Sequence, residues 1–403
     1  MKNVAIIAEF NPFHNGHSYM IEQLKAQKNP DCIVIVMSGN FVQRGDLAII
    51  DKWRRAFCAI QAGANLVIEL PAPFANQNAQ MFSEGAFGIL SKLNIDHLCF
   101  GTESSDLSSI IRTAKMINCE SKEQSDHLNY LLKKGHSYPK ALATVFGDLA
   151  EDVLTKPNNT LAVEYLKAMT KFSPEMKPYN IHRIGADYHS KHVRENFSSA
   201  TAIRASCFSG ELKNIAGNVP SYSFDVLKDF FSIYAKFNSF DHLFNALKYR
   251  ILTATPEELS HIYDVTEGIE NRLIKLISSH TSLNGFLSAL KTKRYTHLRL
   301  RRILLNTLLL LNQETFNTLD PTEIQHAKIL AFDQAGRSFI KENRNQIYFI
   351  SKQSDYKHFK PTRTDAFIRD FTNFSSRLYY FALNSNSINQ ELIINPYMKK
   401  DGF

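Results

Sequence analysis

Three short apolar runs constrain the fold of this chain more than anything else in it. Residues 4–8 (VAIIA), 32–37 (CIVIVM) and 65–70 (NLVIEL) are each of strand length. The second has no polar alternation, so it must be buried on both faces, as a strand inside a parallel sheet is. Residues 17–27 and 51–62 lie between these runs and carry helical spacing, with Asp51 as a candidate cap. A helix over 80–92 and a strand over 96–100 repeat the alternation, and 177–183 and 198–208 read as a last strand and a short helix. Strands alternating with helices predict right-handed βαβ units and a Rossmann-like, doubly wound parallel sheet of the α/β class. Ligands of such sheets bind beyond the carboxyl ends of the strands, at the switch point.

The first strand runs into Asn11-Pro12-Phe13-His14-Asn15-Gly16-His17. One reading is an ordinary strand-to-helix turn that contains histidine. The other is a phosphate site: the free N–H groups and dipole of a helix start attract an anion, and Gly16 admits it close to the backbone. His14 and His17, one helical turn apart, then donate hydrogen bonds to phosphate oxygens as charge builds up. That arrangement suits displacement at the α-phosphate of a nucleotide with pyrophosphate leaving, which needs positioning and charge stabilisation but no covalent protein intermediate. Half a metal site is a further possibility, but the pair straddles a glycine turn and no third ligand is evident. No metal ligand is predicted, and magnesium is expected only as the companion of a nucleotide.

The turn resembles the HxGH signature of the nucleotidyltransferase superfamily, whose Rossmann-like domains bind ATP. Ser198-Ser199-Ala200-Thr201-Ala202-Ile203-Arg204 resembles that superfamily's second motif, roughly ISSTxIR, departing from it at Ser198 and Ala200. Further stretches (AEFNPFHNGH, VIVMSGNFVQRGDLAIIDKWRRA, GANLVIELP, FGTES, KPNNTLAVEYLKA, HRIGADYHS) are similar to the family of bacterial tRNA(Met) cytidine acetate ligases. The resemblance is close over residues 1–210 and continues into the basic segment near 300. It implies activation of acetate by ATP as acetyl-adenylate, with release of pyrophosphate, and transfer of the acetyl group to N4 of the wobble cytidine of elongator tRNA(Met). Acetate and tRNA rest on the resemblance alone.

The resemblance also implies ATP contacts at Ile7, Ala8, Glu9, Phe10, Asn11, Pro12, Phe13, His14, Asn15, Gly16, His17, Ser18, Tyr19 and Met20, and at Gly101, Asn158, Asn159, Arg183, Ile184 and Thr201. Gly101, the asparagine pair and Arg183 each have a physical rationale, and the glycine and the asparagines also have a plainer alternative. Gly101 is either a strand-end position where a side chain would collide with a nucleoside or a simple turn glycine. Asn158 and Asn159 either read a base edge or cap a helix. Arg183 stacks on adenine or holds a phosphate. In the polar loop 38–46, Arg44 either steadies the acetate carboxylate, as a third catalytic residue beside His14 and His17, or is a solvated arginine paired with Asp46. Lys52, Arg54 and Arg55 follow on a helix whose default is a solvated face.

Beyond about residue 210 the character changes. Residues 222–312 and 364–384 carry helical periodicity, and 324–351 carry a short hairpin or extended pieces. A boundary near 210 therefore divides the chain into an ATP-binding catalytic domain (1–210) and a mainly helical, basic tRNA-binding domain (211–403). The formal charge of +8 raises the prospect of a polyanionic partner without proving it. The densest basic run, LKTKRYTHLRLRRILLN, offers Lys291, Lys293, Arg294, Arg299, Arg301 and Arg302 to RNA phosphates, with Tyr295 and His297 for base stacking. A basic helix on the surface of a basic protein is the alternative. Lys357, His358, Phe359, Lys360 and Arg363 form a weaker second patch.

The five cysteines form no CxxC pair, which argues against a disulfide framework or a zinc site. Cys58 and Cys99 lie in apolar contexts, so transfer through a mixed anhydride fits better than an acyl-cysteine. No signal-like segment or membrane-length apolar run is evident, and a cytoplasmic location is expected. Two rivals are a small-molecule nucleotidyltransferase that transfers an adenylyl or cytidylyl group, and a non-enzymatic RNA-binding protein with a decayed pocket.

Overall fold

The computed structural model describes residues 3–136, 138–183, 197–292 and 294–400. Its strands are β1 (Asn3–Ala8), β2 (Cys32–Ser38), β3 (Phe41–Val42), β4 (Asp46–Leu47), β5 (Leu66–Leu70), β6 (His97–Thr102), β7 (Lys177–His182), β8 (His326–Phe332), β9 (Tyr348–Ile350) and β10 (Tyr397–Met398). The main sheet runs β10-β8-β5-β2-β1-β6-β7, with β9 paired to β8, while β3 and β4 form a separate antiparallel hairpin. β1 pairs in parallel with β2 on one side and β6 on the other. The strand order thus reverses at β1, and a crevice opens beyond the carboxyl ends of β1 and β6. All seven residues of β2 are buried, as its unbroken apolar run requires.

Helix α1 (Asn15–Lys28) follows β1. Helix α2 (Lys52–Gln61) follows the hairpin, capped by Asp51, whose side chain accepts from the Arg54 N–H. The Pro157–Phe172 helix leads into β7, and the Ala200–Phe208 helix starts at Ser199. The alternation expected over the first half is therefore present, and the second half is mainly helical.

The second half nevertheless returns to the sheet. β8 lies antiparallel beside β5, and β9 and β10 pair in parallel with β8. Residues 324–351 form no hairpin. The Gln334–Asn343 helix between β8 and β9 provides a crossover, which makes the pair parallel.

A group of four charges ties these late strands to the early ones. The Lys52 ammonium bonds both Glu69 oxygens (2.7 and 2.6 Å) and lies 2.5 Å from Glu391, which also pairs with Lys328. All four residues are buried. Burial alone would lower the pKa of Lys52, but Glu391 and Glu69 outweigh it and hold the ammonium above its ordinary value.

Candidate active site

The turn after β1 builds its site from backbone geometry. His14 is the N-cap of α1 and His17 its third residue. The His14 Nδ1 accepts from the Gly16 N–H at 3.1 Å, and the His17 Nδ1 accepts from the His14 N–H at 3.2 Å. This is a capping box in which two imidazoles replace the usual hydroxyl and carboxylate. Because each Nδ1 is an acceptor, a neutral ring carries its single proton on Nε2. The rings stack 3.7 Å apart, and His17 also packs edge-on against Phe10. Burial lowers the His14 pKa to about 3, helped by the Arg183 and Arg204 guanidinium groups. Burial, His14 and Arg183 depress His17 well below the ordinary value too. Both rings are therefore neutral donors at physiological pH.

The second motif docks on the first. Arg204 donates to the Asn11 carbonyl at 2.7 Å and to the Thr201 hydroxyl at 3.2 Å. The Ser199 side chain caps its helix by accepting from the Ala202 N–H. A cleft at the strand ends is lined by residues of both motifs, His14, Gly16, His17, Ser199, Thr201 and Arg204 among them, together with Gly101, Asn158, Arg183, Gln43 and Arg44. Elements separated by almost two hundred residues in the chain thus face one space.

Of the fourteen positions expected between Ile7 and Met20, ten line this cleft; Pro12, Phe13, Asn15 and Ser18 do not. Phe13 is core. Asn15 reaches the backbone of Gly217 and Asn218, and Ser18 bonds Tyr222, because these two residues, one helical turn apart, share a face turned away from the cleft. A side chain at Gly101 would press on Arg183, its Cβ falling 3.3 Å from the Arg183 Cγ, so the glycine makes room for the arginine. The asparagine pair divides. Asn158 lines the cleft. The Asn159 side-chain Oδ1 accepts from the Glu103 and Ser104 N–H groups and fixes the loop after β6. Neither residue caps the helix. That role belongs to Glu103, whose carboxylate accepts from the Asn158 and Asn159 N–H groups at 3.2 and 3.0 Å and from the Asn158 side chain. Sequence reading missed Glu103, because its partners lie about 55 residues away. Ile184 falls outside the described residues.

Helix α2 corrects a second expectation. Lys52 and Arg55 are buried, and Arg54 is only partly exposed and paired. Lys52 belongs to the four-charge group, and Arg54 pairs with Asp51 at 2.6 Å and Asp229 at 3.2 Å. Arg55, fully buried, donates to the carbonyls of Ile50 (3.2 Å), Glu9 (2.6 Å), Ser38 (3.0 Å) and Gly39. It thereby gathers the ends of β1 and β2 at the cleft floor.

The basic run lies on and before the His297–Leu309 helix. Lys291 and Arg294 are exposed, Arg294 pairing with Glu267 at 3.3 Å. Arg299 grips Asp264 through two nitrogens at 3.0 and 2.7 Å. Arg301 reaches the β3–β4 hairpin, and burial pushes the pKa of Arg302 down. Tyr295 is 4% exposed, with its hydroxyl on Thr266, and offers no face for base stacking. Lys293 falls outside the described residues. In the second patch Lys357, His358, Lys360 and Arg363 are exposed and Phe359 is partly covered.

Burial raises the thiol pKa of Cys58 and Cys99 to about 12, so neither is a nucleophile. Among the described residues, no group of three or more His, Cys, Asp or Glu side chains is placed to hold a metal ion. None of the described helices is long and apolar enough to cross a membrane.

The family model described as HIGH Nucleotidyl Transferase matches residues 1–391. A tRNA(Met) cytidine acetate ligase of Anoxybacillus flavithermus is 38% identical over 352 residues, covering 86% of this chain and 88% of its own. The Bacillus subtilis ligase of the same name is 35% identical, covering 89% of each chain. This chain belongs to the tRNA(Met) cytidine acetate ligase family. Crystal structures of Thermotoga maritima TmcAL extend the likeness to three dimensions. The apo form has a TM-score of 0.93 at 28% identity, and the form bound with alpha-thio ATP 0.91 at 27%, each covering 99% of this chain and 100% of the other. Family membership gives the two-histidine turn a setting in which nucleotide chemistry is expected.

Proposed function

We propose that this chain activates acetate with ATP as acetyl-adenylate, releases pyrophosphate, and transfers the acetyl group to N4 of the wobble cytidine of elongator tRNA(Met). The observation that carries the reading is the pair of stacked, neutral imidazoles, each with its Nε2–H left for a ligand, at the switch point of the sheet. His14 and His17 donate to the α-phosphate oxygens as an acetate oxygen attacks phosphorus and the bond to pyrophosphate breaks. Arg183 and Arg204 supply fixed positive charge on the phosphate side, and Thr201 lies at a helix start facing the same space. Asn158 and Gly101 border the nucleoside. Arg44, on the β3–β4 hairpin, steadies the acetate carboxylate. The cytidine amine then attacks the mixed anhydride carbonyl, and AMP leaves.

Magnesium would enter with the nucleotide phosphates. The carboxylates lining the cleft, Glu9 and Asp46, are already engaged by the Gln43 N–H and by Arg301, which supports an ion held mainly by phosphate oxygens. In this reading residues 1–210 supply the nucleotide chemistry and 211–403 the tRNA surface. Among the described residues of the basic run, Lys291 and Arg294 are its exposed cations.

The test incubates the protein with ATP, labelled acetate and bacterial tRNA and follows label into a tRNA cytidine. His14→Ala and His17→Ala should each lower acetate-dependent pyrophosphate release by about 10²–10³-fold while tRNA still binds. Undiminished pyrophosphate release in both variants would remove the turn from the mechanism. Pyrophosphate release that needs a small mononucleotide or phospho-alcohol acceptor would favour the small-molecule transferase.

A further inference from the structure

Arg301 lies in the run of bases read from sequence as an RNA surface, yet its side chain is only 12% exposed and points to the catalytic half. Its Nη2 lies 2.6 Å from an Asp46 oxygen, and its Nε donates to the Gly45 carbonyl at 3.3 Å. Both acceptors belong to the turn and second strand of the β3–β4 hairpin, whose Gln43 and Arg44 line the cleft. The contact is also steric. Gly45 has a φ of +72°, and a Cβ there would fall 2.6 Å from the Arg302 backbone nitrogen and 2.7 Å from the Arg301 carbonyl carbon. The hairpin turn is therefore pressed directly on the helix backbone.

The other attachments of the hairpin leave this side to Arg301. The Gln43 N–H donates to the Glu9 carboxylate at 2.7 Å and ties the hairpin to the end of β1. The second Asp46 oxygen accepts from the Phe240 N–H at 2.9 Å. Without Arg301 the Asp46 carboxylate at the cleft rim would lose the guanidinium 2.6 Å from it, and its charge would act against an anionic substrate.

We infer that Arg301 is a positioning residue for the acetate end of the site. It fixes the hairpin that presents Gln43 and Arg44, and it neutralises Asp46 beside the incoming carboxylate. This rests on reading the cleft as an adenylate-forming site for acetate, and that reading is tested first by the wild-type protein alone. If the wild type releases no pyrophosphate with ATP and acetate, the reading fails before any variant is made.

With an active wild type, Arg301→Gln should raise the KM for acetate at least tenfold, with the KM for ATP and the Kd for tRNA changed less than about twofold. Arg301→Lys, which keeps the charge opposite Asp46, should recover most of that loss. Gly45→Ala, which lifts the hairpin from the helix without altering any charge, should raise the acetate KM in the same way and decides the matter if Arg301→Gln does not fold. An unchanged acetate KM in Gly45→Ala or in folded Arg301→Gln would overturn the inference. Lost tRNA affinity with an intact acetate KM in Arg301→Gln would also overturn it and return Arg301 to the RNA surface.

Discussion

Helix α2 and the run 291–302 are alike in sequence, each packing cations between apolar residues, yet the fold uses them differently. On α2 the cations turn inward. Lys52 meets two carboxylates, and Arg55 meets the backbone carbonyl oxygens of Ile50, Glu9, Ser38 and Gly39. In the later run the assignments are mixed, with Arg299 and Arg301 paired to distant aspartates and Lys291 and Arg294 left at the surface. The position of a cation therefore depends on which acceptors the tertiary fold brings to it, more than on its helical face.

Lys52 carries the largest expected effect. Lys52→Met should destabilise the chain by about 3–5 kcal/mol, since it leaves Glu69 and Glu391 buried with only Lys328 to share. Urea unfolding measures it, and a loss below about 1 kcal/mol would mean that the four charges are not interdependent.

The imidazoles of the turn differ from Lys52, because they are buried bases with no carboxylate partner among the described residues. Their pKa values are lowered, His14 from 6.5 to about 3, so between those values the unfolded chain binds more protons than the folded one. Their contribution to stability is therefore intact above about pH 6.5 and is lost as pH falls toward about 3. The thermal midpoint of the ligand-free protein should drop between about pH 7 and pH 5. His14→Asn, which keeps a capping acceptor, should flatten that drop. An identical pH profile in the variant would show that His14 does not titrate with folding.

The smallest stability effect is expected at the outward end of the run. Lys291→Ala with Arg294→Ala should change stability by no more than about 0.5 kcal/mol per site, Arg294 holding only an exposed ion pair. The double variant should lower the salt dependence of tRNA binding by roughly one unit of slope for each phosphate that is no longer neutralised. An unchanged slope would place the RNA surface elsewhere, with the exposed cations around Lys357 to Arg363 as the next candidates.

The parts legible in the sequence share a local cause. β1, β2 and β5 are legible because burial on two faces forces unbroken apolar runs, and the two-histidine turn because chemistry and capping act within four residues. The docking of Arg204 on Asn11 was expressed only as two separate motifs. What stayed illegible is non-local. β8 pairs with β5 across some 260 residues, and its HAKILAF reads equally as a helix or a strand. Arg301 finds Asp46 at a similar separation. Glu103 caps a helix that begins at Pro157, and no N-terminal capping signature points to so remote a carboxylate. Phe13, Asn15 and Ser18 sit inside a ligand-binding segment but serve the packing behind it.

The antiparallel pairing of β5 with β8 has a consequence for dissection of the molecule. A fragment ending at residue 210 would keep the two-histidine turn and the second motif but would leave β5, all five residues of it buried in the intact chain, as a bare apolar edge. An open edge of that kind recruits strands from other molecules and drives self-association. The sheet that carries the two-histidine turn is thus completed by strands from beyond residue 210.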